Sequence, residues 1–102
     1  MTWIKTVAAA AIERDGIGLA QAAGQRIAVY YVEGAFYATA DACTHGYASL
    51  SEGYLEGHLV ECPLHQGLFD VRTGAAAGPP CDEPVRSFPV RVEDGFIHVG
   101  IE

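Results

Sequence analysis

Basic residues are scarce in this chain of 102 residues. Six Lys and Arg stand against thirteen Asp and Glu, which gives a formal net charge of −7, and the six are scattered along the sequence. Nucleic acids and anionic membranes are held mainly by clustered Lys and Arg, so the sequence argues against both as partners. An acidic surface favours docking to a basic patch on another protein.

Long apolar runs are also missing. No run approaches the roughly 18 residues of a membrane-spanning helix. The first residues, MTWIKTVAAAAIERDG, lack the long apolar region of a secretory signal. We therefore expect a cytoplasmic protein without membrane contact. Half of the residues are apolar, and 102 residues suffice for one core but not two, so a single domain over residues 1–102 is predicted.

Cysteine is limited to three residues, Cys43, Cys62 and Cys81. An odd number argues against the disulfide framework of a small secreted scaffold. Four histidines accompany the cysteines, and in a reducing compartment this combination more often binds metal. Metal binding is therefore the hypothesis to test.

Short β-branched and aromatic runs separated by turn residues predict an all-β fold. The runs are Ile17 to Gln21, Arg26 to Val32, Ala35 to Thr39, Tyr54 to Leu55, His58 to Glu61, Leu68 to Val71, Arg86 to Val92 and Phe96 to Ile101. The alanine-rich segment Val7 to Arg14 is shorter than an isolated helix needs, so we expect one helical turn there.

Tight hairpin turns are predicted where Gly can take a positive φ angle. The dipeptides Glu33-Gly34, Glu56-Gly57 and Asp94-Gly95 join neighbouring runs, and Asp-Gly is the strongest of these signals. Gly78-Pro79-Pro80 predicts a stiff turn. The sequence thus describes hairpins joined by short turns.

Two stretches each carry one cysteine and one histidine. Their pattern is C-x-H, sixteen residues, then C-x-x-H, over Cys43, His45, Cys62 and His65. Two thiolates suit one iron and two imidazoles suit the other in a [2Fe–2S] centre. The same four side chains could hold zinc in an interaction module. Zinc sites, however, usually space their cysteines two to four residues apart and their histidines three to five.

The segments CTHG at 43–46 and CPLHQG at 62–67 resemble the Rieske iron–sulfur family. Within it the chain looks most like the small ferredoxins of bacterial aromatic-ring-hydroxylating dioxygenase systems. The resemblance implies a small antiparallel β-sandwich or barrel with an inserted cluster-binding subdomain of two loops. The base would comprise residues 1–41 and 69–102, and the cluster-binding subdomain residues 42–68.

The resemblance also implies the site. Cys43 and Cys62 would ligate the inner iron of one [2Fe–2S] cluster, and His45 and His65 the outer iron. Residues expected to shield the cluster or contribute to docking are Gly46, Tyr47, Leu64, Gln66, Gly67, Pro79 and Pro80. No cofactor role is expected for Cys81, His58 or His98.

The function that the resemblance implies is electron transfer, not catalysis. A monomeric carrier would take single electrons from a flavin-dependent, NADH-oxidising ferredoxin reductase and pass them to a terminal dioxygenase. A terminal oxygenase would need a second iron site and a substrate domain, for which 102 residues leave no room. One further alternative is a Rieske-like accessory small subunit of a reductase such as nitrite reductase.

Overall fold

The computed structural model describes residues 1–44, 48–64, 66–79 and 83–102. These residues form eleven β-strands, one α-helix and one 3₁₀ helix. In chain order they are β1 (Thr2–Ala8), α1 (Ala9–Asp15), β2 (Ile17–Ala22), β3 (Gln25–Val32), β4 (Ala35–Ala40), the 3₁₀ helix (Leu50–Glu52), β5 (Tyr54–Glu56), β6 (Leu59–Glu61), β7 (Leu68–Asp70), β8 (Ala76–Gly78), β9 (Ser87–Phe88), β10 (Val90–Glu93) and β11 (Phe96–Ile101).

The strands form three antiparallel sheets, which confirms the all-β prediction. The first sheet has the order β1-β11-β10, the second β2-β3-β4-β9, and the third β5-β6-β7-β8. The third sheet draws on residues 54–78 and therefore extends beyond residue 68. The division into a base and a cluster-binding subdomain at residues 42–68 stays a prediction.

Strand β3 is the centre of the molecule because both of its faces are buried. Ile27 and Val29 pack into a core shared with the first sheet, whereas Ala28, Tyr30 and Val32 pack into a second core shared with the third sheet. A strand buried on both faces has a continuous apolar sequence, as Ile27 to Val32 does. Burial raises the pKa of Tyr30, which is therefore neutral at physiological pH.

Two predicted hairpin turns are confirmed and one is shifted. Glu33-Gly34 and Asp94-Gly95 join adjacent strands with positive φ angles at both residues. The turn between β5 and β6 is Gly57-His58, with φ of 59° at Gly57, and not Glu56-Gly57. His58 therefore lies in the turn and not in a strand.

The N-terminal segment differs most from the prediction. Residues Thr2–Ala8 form an unpredicted strand, because they pair with β11 at the other end of the chain, as in Thr2 with Ile101. The helix α1 runs for seven residues, not one turn, since Ala9 and Ile12 are buried against the core. It ends at Gly16, where φ is 82°.

Pro89 divides the run predicted as a single strand over Arg86 to Val92. Before it, Phe88 pairs with Ala38 in the second sheet; after it, Val90 pairs with Val99 in the first sheet. Proline lacks the N–H that a continuing ladder requires, so the chain changes sheets at this residue. Within the described parts of the chain, no helix is long and apolar enough to cross a membrane.

Removing Arg72 is expected to weaken the fold in a pH-dependent way. The guanidinium donates to both Asp70 carboxylate oxygens, at 3.1 and 2.9 Å, and these bonds lower the pKa of Asp70. A carboxylate whose pKa is lower in the folded chain stabilises it above the unfolded value of about 3.9, and this contribution is lost as the pH falls through the folded-state pKa. For Arg72→Gln we expect a small loss in the free energy of unfolding at neutral pH that vanishes in acid, since an exposed ion pair is screened by solvent.

Urea unfolding followed by circular dichroism across this pH range measures the effect. Arg91→Gln is the matched control, because it removes the same charge from an exposed pair in which Arg91 lies 3.3 Å from Glu93. A loss for Arg72→Gln that stayed constant into acid would contradict the prediction.

Candidate metal centre

The first cysteine stands at the base of a closed loop. The N–H of Cys43 donates to the carbonyl of Ala48 at 3.0 Å, and Ala42 forms a β-bridge with Ser49. The loop over residues 43–48 is thereby closed by the backbone itself. It leaves the end of β4 and returns to the 3₁₀ helix.

The second cysteine stands at the base of a loop built in the same way. The N–H of Cys62 donates to the carbonyl of Gly67 at 2.8 Å, and the N–H of Gln66 donates to the carbonyl of Cys62 at 3.1 Å. Gln66 takes a positive φ of 62°, which turns the chain back toward β7. Both loops thus span six residues, 43–48 and 62–67, and close through the same backbone contact.

The two cysteines share one buried environment. Cys43 is 5% exposed and Cys62 is fully buried, and both belong to the core between β3 and the third sheet. Phe69 and Leu50, both fully buried, belong to the same core. A water-poor, apolar surround suits soft thiolate ligands of an iron–sulfur cluster.

The two predicted histidine ligands lie outside the described residues, as do Gly46, Tyr47, Pro80 and Cys81. Among the residues that are described, no three metal-binding side chains are brought together. The assignment of His45 and His65 as ligands therefore stays a prediction. Among the described residues that were expected to shield the cluster or contribute to docking, Leu64, Gln66 and Pro79 are exposed and Gly67 is buried.

Sequence reasoning missed Asp41, which fixes the first loop. Its carboxylate is 1% exposed, accepts a hydrogen bond from the N–H of Ser51 at 2.8 Å, and lies 3.4 Å from Arg26. Its own carbonyl accepts from the N–H of Leu50 at 2.7 Å. One residue thus ties both ends of the loop together. The partners are nine and ten positions away, so no local pattern could have indicated them.

Replacing Asp41 tests this anchoring role. Asp41→Ala leaves the Ser51 N–H without its acceptor, and we expect a loss of about 1–3 kcal/mol in the free energy of unfolding. Asp41→Asn keeps a side-chain oxygen for that N–H and is expected to retain most of the stability. Thermal unfolding of both variants measures the difference, and equal midpoints would show that Ser51 is not the important partner.

A third segment is attached to the first loop. The Thr44 hydroxyl donates to the carbonyl of Glu83 at 2.9 Å, and the N–H of Val85 donates to the carbonyl of Gly74 at 2.9 Å. Val85 is buried in the same core as both cysteines. The segment after the predicted stiff turn at Gly78-Pro79-Pro80 is therefore held beside the first cysteine loop.

The described residues fit the group that the sequence indicates. Two buried thiols stand at the bases of two equal, backbone-closed loops, and the sequence supplies a histidine within each loop. This donor set matches two thiolates and two imidazoles for a [2Fe–2S] cluster. Its arrangement on two hairpin-borne loops differs from the close Cys-Cys pairing typical of structural zinc sites.

The family is shown by comparison with known proteins. Residues 2–89 match the model of the Rieske [2Fe-2S] domain, so the chain belongs to the Rieske [2Fe–2S] family. The antiparallel sheets and the paired cysteine loops described above are consistent with this assignment.

Within this family, the chain is similar to ferredoxin components of dioxygenase systems. The chain is 52% identical over 83 residues to the anthranilate 1,2-dioxygenase ferredoxin subunit of Burkholderia cepacia, covering 80% of this chain and 77% of that protein. It is 48% identical over 93 residues to the ferredoxin component of the naphthalene 1,2-dioxygenase system of Pseudomonas putida, covering 90% and 88%.

The fold of the chain is also similar to that of solved structures. The chain superposes with a TM-score of 0.86 and 46% identity on a ferredoxin solved in complex with the oxygenase of carbazole 1,9a-dioxygenase, covering 95% of this chain and 91% of that one. A protein assigned as a nitrite reductase small subunit matches with a TM-score of 0.80 but only 20% identity, covering 99% and 100%. That second likeness concerns the fold alone.

Proposed function

We propose that this chain is the ferredoxin component of an aromatic-ring-hydroxylating dioxygenase system. It carries single electrons from a flavin-dependent, NADH-oxidising reductase to the terminal oxygenase, and it is not itself the catalyst. The observation that carries the proposal is the pair of buried cysteines, Cys43 and Cys62, at the bases of two equal closed loops. The dioxygenase ferredoxins among its relatives support it.

The proposed ligands are Cys43 and Cys62 for the inner iron and His45 and His65 for the outer iron of one Rieske cluster. When bound, this group supplies a one-electron couple. Residues 42–68 would then form the cluster-binding part of the single domain. The two loops exclude water from the thiolates by burial, and the exposed Leu64 and Pro79 offer an apolar rim to a partner.

The charge of the chain suits such a carrier. A net charge of −7 accelerates encounter with a basic surface more than it deepens the affinity of the complex. Repeated electron exchange requires short-lived complexes with small interfaces. We therefore propose a monomer that works in the cytoplasm and alternates between the reductase and the oxygenase.

The proposal is tested on the protein purified aerobically. Visible absorption and chemical analysis should give two irons and two sulfides per chain. Reduction with dithionite should produce an electron paramagnetic resonance signal with the low average g value of a His-ligated cluster. A colourless protein that holds one zinc, or a folded protein without iron, would contradict the proposal.

A further inference from the structure

The third sheet has one buried face and one face turned outward. Across β5, β6 and β7, one row of paired residues is Leu55, Val60 and Phe69, and it packs into the core that holds the cysteines. Successive side chains in a strand point to opposite faces, so the neighbouring rows face outward. One outward row consists of Tyr54, Glu61 and Leu68. The other consists of Glu56, Leu59 and Asp70.

The outer row of Tyr54, Glu61 and Leu68 borders the second cysteine loop. Glu61 immediately precedes Cys62, and Leu68 immediately follows Gly67. Leu68 of β7 pairs with Gly78 of β8, and Gly78 immediately precedes Pro79. This row is therefore the last hydrogen-bonded row of the sheet before two loops of the metal centre begin.

The outward face has an open, partly apolar cavity. Tyr54 is 68% exposed although it is a large aromatic residue. A cavity of about 220 Å³ lies beside it. The lining residues are Tyr54, Leu55, Glu56, Leu59, Glu61 and Leu68. Exposed tyrosine beside aliphatic side chains is typical of protein interfaces.

The glutamates on this face carry negative charge that no ion pair of the described residues offsets, whereas Asp70 in the neighbouring outward row is paired with Arg72. Residues 42–68 contain Glu52, Glu56 and Glu61 and no Lys or Arg. Over the described residues, the ion pairs engage other carboxylates, namely Glu33 with His58 and Asp15, Asp41, Asp70 and Glu93 with arginines. Among the described residues, none of these ion pairs includes Glu52, Glu56 or Glu61, so these three carboxylates keep their negative charge.

We infer that this lateral face, formed by Tyr54, Glu56, Glu61 and Leu68, docks a basic patch of the terminal oxygenase. The inference rests on the proposed function. Lys and Arg can lay an aliphatic stem on apolar surface while the charged head reaches a carboxylate. The cavity beside Tyr54 fits such a stem, and Glu56 and Glu61 lie at its border. We choose the oxygenase because a ferredoxin 46% identical to this chain binds its oxygenase.

The test measures binding of the iron-loaded protein to purified oxygenases of the carbazole and naphthalene systems by titration calorimetry. Glu56→Lys/Glu61→Lys should weaken binding at least about tenfold at low salt, and the loss should shrink at about 0.5 M salt because ions screen exposed charges. Tyr54→Ser should weaken binding about fivefold at either salt concentration, since it removes apolar contact area.

The matched control is Glu13→Lys/Glu102→Lys, which makes the same charge change at exposed residues outside the third sheet. Its binding should stay within about twofold of wild type at high salt, with a smaller low-salt loss than the lateral-face variant. Iron content and the visible spectrum of every variant must match wild type. The single variant Glu56→Lys replaces the double variant if Glu61→Lys disturbs the adjacent Cys62.

Two results would overturn the inference. Lateral-face variants that bind no more weakly than the control exclude this face as the docking surface. Suppose instead that the variants are reduced more slowly by the reductase of the naphthalene system while their binding to the oxygenase is unchanged. The face would then dock the reductase and not the oxygenase. Wild-type protein without iron, or without the electron paramagnetic resonance signal of a His-ligated cluster, would instead contradict the proposed function, so the two failures are distinguishable.

Discussion

Cys62→Ser is expected to yield protein without the visible absorption and iron of the wild type. Cys62 is fully buried at the base of its loop, and serine at neutral pH offers a neutral hydroxyl where iron requires a thiolate. The substitution also places an oxygen in an apolar core. Visible absorption, iron content and electron paramagnetic resonance after dithionite reduction measure the loss, which should be nearly complete.

Cys81→Ser is the matched control for this prediction. It makes the same chemical change at the third cysteine, for which the sequence predicts no cofactor role. Its spectrum and iron content should equal those of the wild type. Loss of iron from Cys81→Ser, or a normal spectrum from Cys62→Ser, would show that the proposed ligand set is wrong.

The parts of the fold that local chemistry determines could be predicted from the sequence. Glu33-Gly34 and Asp94-Gly95 form their turns because Gly takes a positive φ angle without steric cost at the second position of each. The apolar run from Ile27 to Val32 is continuous because β3 is buried on both faces. Of the predicted ligands, the structure places Cys43 and Cys62 in one buried core, and their role as ligands stays a prediction.

The parts that distant contacts determine could not be predicted. Strand β1 exists because Thr2 pairs with Ile101, at opposite ends of the chain. The first cysteine loop is held by Asp41 through the N–H of Ser51, and Thr44 contacts Glu83 across 39 positions. None of these contacts leaves a periodic pattern, because each joins residues that are ten or more positions apart in the sequence.

The alternation of side chains along a strand explains how the third sheet would serve both the metal centre and the proposed docking face. A strand of three residues such as β6 places Val60 in the core and Glu61 on the outward face, and its next residue is Cys62. The strand thereby sets the position of the thiol and of a surface carboxylate at once. A proposed partner that docks on the carboxylate is then held beside the metal centre by the same backbone.

Gly74→Ala is expected to lower stability more than Gly95→Ala, which makes the same change at a turn with a similar φ angle. Gly74 has a φ of 83°, and an added Cβ would meet the carbonyl oxygen of Val85. The Val85 N–H donates to the Gly74 carbonyl, so neither backbone can withdraw without losing that bond. Left-handed strain and steric displacement together should cost about 2–4 kcal/mol.

Gly95→Ala separates the backbone strain of a positive φ angle from the steric clash of the added Cβ. Gly95 has a φ of 80°, but an added Cβ would meet nothing within 4 Å, so this variant carries the strain alone, about 1 kcal/mol. At about 4–8 °C per kcal/mol, thermal unfolding of Gly74→Ala should begin well below that of Gly95→Ala. Because Val85 shares its core with Cys43 and Cys62, Gly74→Ala should also lose its visible absorption faster on warming. Equal midpoints for the two variants would mean that Val85 moves aside freely and does not hold the cysteine loops in place.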